Sequence, residues 1–263
     1  MGVYAITGGS SGIGAKTVEL LKAKGHQVIN IDLRKCDIEA NLAVPEGRQK
    51  AIDTLHQLQP DGLDGLICCA GVSGACGDLK LIISLNFFGT ITIVKGVYDL
   101  LKKRGGTCVV TSSNTISQGA ARMDLADLLN NNNDDEQRIL NVVSRLDKDN
   151  LSVGNSVYVA TKYAIARWMR RHSASYAANG IRINAVAPGN VHTAMTATMS
   201  ANAKMALNAL PIPTKYGKET LMDSEEIASV IVFLSSAEAK GVNGNVMFVD
   251  GGTDALLNTE KVY

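Results

Sequence analysis

Apolar and polar positions change period repeatedly along this chain. Val3–Ile6 is a short β-rich run that ends at Thr7, and the glycine-rich stretch Gly8–Gly14 follows it at once. From Ile13 the apolar positions fall at Val18, Leu20 and Leu21 with charges between them, and Gly25 supplies a stop. That spacing predicts an amphipathic helix with a glycine C-cap. Gln27–Asp32 returns to a strand pattern, so the chain opens as strand, turn, helix, strand. The alternation continues with a short strand near Cys36–Ala40, a helix over Pro45–Leu58 and a buried strand over Leu63–Ala70. A helical stretch over Leu79–Lys103, a strand over Thr107–Ser112 and a long helix over Ser156–Asn179 come next. Arg182–Ala187 reads as a strand, Asp223–Ser235 as a helix capped by Asp223 or Ser224, and Asn245–Asp250 as the last strand. Buried strands alternating with helices predict an α/β fold with a doubly wound parallel sheet. No repeat or linker divides residues 1–263, so a single domain is expected.

One stretch interrupts the rhythm. Asn130–Asp135 is a polar tract flanked by helical patterns at Met123–Leu129 and Ile139–Leu146. Residues 117–152 therefore read as a helical insertion: two helices joined by a polar turn, ahead of the long helix.

Composition narrows the function classes. A hydrophobic fraction of 46% supports a large core, and a charged fraction of 19% argues against disorder. With a net charge of +1 and no stripe of Lys or Arg, nucleic acid is not an expected partner. The 5 cysteines have no metal-like spacing and no accompanying His pair, so no metal is expected. They are predicted to be free, buried and reduced. No secretory pattern is visible and no apolar run reaches membrane-spanning length, so a cytoplasmic protein without membrane contact is expected.

The chemistry starts at Thr7-Gly8-Gly9-Ser10-Ser11-Gly12-Ile13-Gly14. Glycines let backbone approach a pyrophosphate closely, and the helix behind them presents unpaired N–H groups and a positive dipole end. The strand before, helix after and second strand ending in Asp32 are the context a dinucleotide site requires. Asp32, 18 positions beyond Gly14, can accept from both hydroxyls of an adenosine ribose and would repel a 2′-phosphate, which favours NAD over NADP. Arg34, two residues on, could instead hold a phosphate. Tyr158 and Lys162 stand at i and i+4 of the long helix and so share a face. A neighbouring ammonium is expected to lower the phenol's pKa and make Tyr158 an acid/base group. Ser112 and Ser113 follow a strand, at the end where doubly wound folds place their chemistry.

The TGxxxGxG spacing and the Tyr158-xxx-Lys162 pair resemble the short-chain dehydrogenase/reductase family, which implies a Rossmann-type fold and NAD(P)-dependent interconversion of a hydroxyl and a ketone. The resemblance places the family's catalytic tetrad at Asn86, Ser113, Tyr158 and Lys162. It assigns the hydrogen bond to the substrate oxygen to Ser113, proton exchange to Tyr158, and a water linking Lys162 to solvent to Asn86. The family's Asn-Asn-Ala-Gly motif is Cys68-Cys69-Ala70-Gly71 here, with Ala70 and Gly71 beside the cofactor. Pro188, Gly189, Val191 and Thr193 match the PGxxxT segment that holds the carboxamide, and Asp250-Gly251-Gly252 matches the C-terminal motif. A sensor that binds NAD without chemistry should lack part of the tetrad, and all four members are present.

The interval of 45 positions between Ser113 and Tyr158 is long for the family. With Ile31-Asp32-Leu33-Arg34 it is similar to the bacterial 3α-hydroxysteroid dehydrogenase/carbonyl reductase branch. That likeness implies Asn41 and Leu42 beside the adenine, a steroid or bile-acid substrate, and a homodimer because the insertion blocks the usual tetramer. The apolar, Met-rich stretch Ala194–Met199 with Met205, Leu207 and Leu210 is expected to close over a flat apolar ligand. Another ketone handled by the same family is the alternative.

Overall fold

The computed structural model describes residues 1–119, 121–147, 150–193, 210–216 and 221–262. β1 (Val3–Thr7), β2 (Gln27–Asp32), β3 (Ile38–Glu39), β4 (Gly65–Cys68), β5 (Thr107–Thr111), β6 (Arg182–Pro188) and β7 (Val246–Val249) form one sheet of order β3-β2-β1-β4-β5-β6-β7. Every neighbouring pair is parallel. Such pairs need crossovers, and these cover both faces. α1 (Gly12–Ala23) and α9 (Ser224–Leu234) pack together on one face. α2 (Pro45–Leu58), the helical stretch 79–104 and α8 (Leu151–Ala177) cover the other.

The period-two alternation of the strands sorts the core into two layers. Ala5, Ile31, Leu66, Cys108 and Ile183 join one cluster, while Ile6, Val28, Ile67, Val109 and Val186 join the other. The strands are apolar on both faces because both faces are covered. Leu79–Gly96, long and apolar enough to cross a membrane, lies mostly inside this core.

Most expected elements stand within a few residues of their predicted bounds, and two differ with a physical reason. The stretch from Leu79 is not a continuous α-helix, because Ile82–Gly89 is π-helical before α4 (Thr90–Gly96) and α5 (Tyr98–Arg104) resume. α8 starts at Leu151, ahead of the expected Ser156, with Asn150 accepting from the Ser152 amide at 3.0 Å. Gly154 inside its first turns is read easily as a break; a Cβ there would overlap the carbonyl of Gly74, so the glycine serves a close approach.

Between β5 and α8 lie α6 (Met123–Asn131) and α7 (Glu136–Val143). Their buried Leu125, Leu129, Ile139 and Val143 join the main core. α6 rests on α8, where Asn130 Nδ2 donates to the Ala164 carbonyl at 3.1 Å and Asp127 pairs with Arg167.

Candidate active site

Strand order reverses direction at β1 and β4, which is where doubly wound sheets open a crevice at their carboxyl ends. A cleft of about 930 Å³ lies there. Gly8 has φ +72°, and a Cβ on it would stand 2.6 Å from the Ala70 amide nitrogen, so the turn after β1 admits no side chain. Gly12 has φ +53° and faces Thr193 across the cleft, and a Cβ on Gly14 would overlap the Gly8 carbonyl. Ser11 and Ile13 line the cleft with these glycines.

Ser10 does not line it. Its hydroxyl donates to the Arg34 carbonyl at 3.0 Å and accepts from Asn30 Nδ2 at 3.0 Å, so Ser10 ties the glycine turn to the loop after β2. The Ser10 amide donates to Asp32 Oδ2 at 3.0 Å and the Leu33 amide to Oδ1 at 2.7 Å. Two backbone donors thus hold the Asp32 carboxylate at the cleft wall. Arg34 is exposed and stands outside the lining, two residues beyond Asp32. Asn41 and Leu42 complete this end, with Asn41 Oδ1 accepting from the Ala43 amide at 3.0 Å.

At the other end Tyr158 and Lys162 project from α8 toward the tip of β5. Lys162 Nζ donates to the Thr111 carbonyl at 3.0 Å and lies 5.7 Å from the centroid of the Tyr158 ring. The two serines part company here. Ser112 Oγ donates to the Lys162 carbonyl at 2.9 Å, a link between β5 and α8. Ser113 faces the cleft, and its Oγ accepts from Thr115 Oγ1 at 3.0 Å.

Burial pushes the Tyr158 phenol above its ordinary value of 10.0, and the Ser113 hydrogen bond draws it back only in part. The Lys162 ammonium stands beside this ring with its proton donated to the Thr111 carbonyl. Burial pulls Lys162 itself down to about 8, opposed by Cys69 and Cys68. The side chain of Asn86 turns to the segment after β4. Its Oδ1 accepts from the Val72 amide at 2.8 Å and its Nδ2 donates to the Val72 carbonyl at 2.9 Å. It clamps the segment after β4, and a Cβ on Gly71 would stand 3.0 Å from Oδ1 and 3.6 Å from Lys162 Nζ.

Where the family carries asparagines, Cys68 is a buried thiol and Cys69 a half-buried one. Burial pushes Cys69 up to about 12, and a hydrogen bond with Cys108 together with burial pushes Cys68 well above its usual range. All five cysteines are free, yet Cys76 is exposed and Cys36 and Cys69 are half-buried, so the expectation of uniform burial fails for those three.

Pro188, Gly189, Val191 and Thr193 form the wall opposite Tyr158. A Cβ on Gly189 would lie 2.8 Å from Asp250 Cα. Asp250, buried, accepts from the Gly252 and Asp254 amides at 3.0 and 2.8 Å and from Asn114 Nδ2 at 3.4 Å, which braces the turn after Ser113. Ala194–Met199, Met205 and Leu207 lie outside the described residues, and Leu210 lines the cleft. Sequence reading missed Val72, Leu81, Leu85, Val159, Gln118 and Asn155, which line the cleft around its reacting end. Leu81 and Leu85, at i and i+4 just before Asn86, carried the one usable signal.

The likenesses agree with this geometry. A family profile described as enoyl-(acyl carrier protein) reductase matches residues 124–254. The 3-alpha-hydroxysteroid dehydrogenase/carbonyl reductase of Comamonas testosteroni is 30% identical over 98% of this chain and 98% of its own. The chain belongs to the short-chain dehydrogenase/reductase family. That membership makes it a nicotinamide-dependent oxidoreductase of the dehydrogenase type, acting on a CH–OH group. The crystal structure of the 3-alpha-hydroxysteroid dehydrogenase from Pseudomonas sp. B-0831 complexed with NADH superposes with a TM-score of 0.89 at 32% identity, covering 99% of this chain and 100% of that one. The coniferyl-alcohol dehydrogenase of a Pseudomonas strain is 29% identical over 94% of each chain.

Proposed function

We propose that this short-chain dehydrogenase interconverts a hydroxyl and a ketone on a hydroxysteroid or bile acid, with NAD as cofactor. The observation that carries the reaction class is the meeting of Ser113, Tyr158 and Lys162 at the tip of β5, beside a cradle that no side chain could enter. The residues present fit a dinucleotide. Gly8, Gly12 and Gly14 leave room for a pyrophosphate, Asp32 offers a carboxylate to a ribose, and Asn41 and Leu42 flank the adenosine end. Tyr158, Lys162, Ala70, Gly71, Pro188, Gly189, Val191 and Thr193 surround the nicotinamide end. When bound, the nicotinamide supplies or takes up the hydride.

The chain's own groups handle the proton. Ser113 donates to the substrate oxygen and fixes it beside Tyr158. In reduction Tyr158 gives its phenolic proton to that oxygen, and in oxidation its oxygen takes the proton back. The raised phenol keeps the proton at neutral pH, which suits reduction there and makes oxidation faster as pH rises. Lys162 binds ribose and compensates a phenolate. Asn86 keeps the segment of Ala70, Gly71 and Val72 against the site.

Val72, Leu81, Leu85, Val159 and Leu210 add apolar surface to the cleft lining, and this supports an apolar ligand beside the dinucleotide. Asp32, whose carboxylate is held at the cleft wall, supports NAD over NADP. Five free cysteines support the cytoplasm as the compartment. Homodimerisation is supported by α6 lying on α8, which takes a face of that helix out of reach of another subunit.

The test is a panel of hydroxysteroids, bile acids, aryl alcohols and small ketones assayed with NAD and NADP at the nicotinamide absorbance. Hydroxysteroid turnover with NAD is expected. Turnover confined to small ketones or aryl alcohols would overturn the steroid assignment, and a preference for NADP would overturn the role of Asp32.

A further inference from the structure

Two cations are buried among the described residues, Lys162 and Arg48. Lys162 belongs to the cleft. Arg48, in the first turns of α2 and 3% exposed, does not line it. A buried guanidinium is costly unless its donors and its charge are both met. Arg48 Nε donates to the Leu42 carbonyl at 2.8 Å, and Nη2 to the carbonyls of Ala43 at 3.1 Å and Ser84 at 2.9 Å. Its charge is met by one carboxylate, Glu136 at the head of α7, held in a fork at 2.5 Å from Nη1 and 3.0 Å from Nη2.

The backbone gripped in this way is the wall of the adenosine end. Ala40, Asn41 and Leu42 line the cleft beside Asp32 and Leu33. The same three-residue turn is squeezed from both sides. A Cβ on Gly47 would overlap the Asn41 carbonyl, and one on Gly89 would stand 3.0 Å from the Leu42 carbonyl. Arg48 thus joins the turn, the π-helical stretch and α7. Without the carboxylate, an unpaired buried guanidinium is drawn toward water and releases the carbonyls of Leu42 and Ala43.

We propose that Glu136 is a positioning residue for the adenosine end of the cleft, acting through Arg48 on the Leu42–Ala43 backbone. The helices between β5 and α8 therefore set cofactor affinity although they do not reach the cofactor. This rests on reading the cleft as a dinucleotide site.

The test is calorimetric titration of the full chain with ADP-ribose and, separately, with nicotinamide mononucleotide. Glu136→Gln is expected to weaken ADP-ribose about tenfold, a shift readily resolved by calorimetry, and to leave nicotinamide mononucleotide unchanged. In turnover, KM for the dinucleotide rises while kcat holds, and Glu136→Asp recovers part of the loss. Should E136Q not fold, Arg48→Lys, which keeps a cation beside Glu136 and drops the fork to Leu42 and Ala43, is expected to show the same selective weakening. Unchanged ADP-ribose binding, or equal weakening of both ligands, would overturn the positioning role while leaving the dinucleotide reading in place. A wild-type chain that binds neither ligand would overturn both.

Discussion

Tyr158 is the proposed proton donor, and its surroundings set its resting state. Burial holds the phenol protonated, and Ser113 is the neighbour that opposes burial. Tyr158→Phe removes the acid and keeps the packing, so turnover should fall by about 10²- to 10⁴-fold with ADP-ribose binding intact. Near-normal turnover in that variant would show that the proton travels elsewhere. Lys162 gives a stability test. Its folded pKa is depressed to about 8 from 10.5, so the unfolded chain binds more protons between these values and stability rises with pH across that window. Relative to Lys162→Met, the wild-type chain should gain on the order of 2 kcal/mol between pH 8 and about pH 9.5. Denaturant titrations at several pH values below the tyrosine range check this, and a constant difference would refute it. Tyr158 and Lys162 were legible because helical spacing alone makes them neighbours. The partner of Asn86 was not, since Val72 meets it only through the fold.

Elements were legible where a local rule acts and illegible where a distant contact decides. The turn after β1 is a local case, a left-handed glycine between a strand and a helix. Gly8→Ala forces a Cβ onto φ +72° and against Ala70. The backbone term alone costs about 1–2 kcal/mol. A lowered melting temperature together with lost ADP-ribose binding is expected, and a variant that melts lower yet binds normally would show that the cradle tolerates a methyl group. The π-helical stretch is the opposite case. Nothing in Ile82–Gly89 announces it, because its apolar residues suit any buried helix; Asn86, inside it, meets Val72 across the fold. The early start of α8 was hidden in the same way, since Gly154 looks like a break until Gly74 is seen beside it.

At the scale of the molecule, the parallel sheet and the position of the cleft were legible from alternation alone, because a strand covered on both faces is apolar throughout. How α6 and α7 pack was not, because their amphipathic patterns say only that one side of each is covered. That packing bears on assembly. With α6 seated on α8, light scattering of the purified chain should give the mass of two subunits, and a mass of four would mean that this helix face is not the blocked one.

The all-parallel order also bears on time. No two neighbouring strands can pair as a hairpin, so every pairing waits for a crossover to be made. The floor of the cleft needs β1 beside β4 and β5, and its far wall needs β6 braced by Asp250 beyond β7. During synthesis the nucleotide cradle therefore exists long before the wall that faces it. Competence to bind the whole ligand should be among the last properties the folding chain acquires.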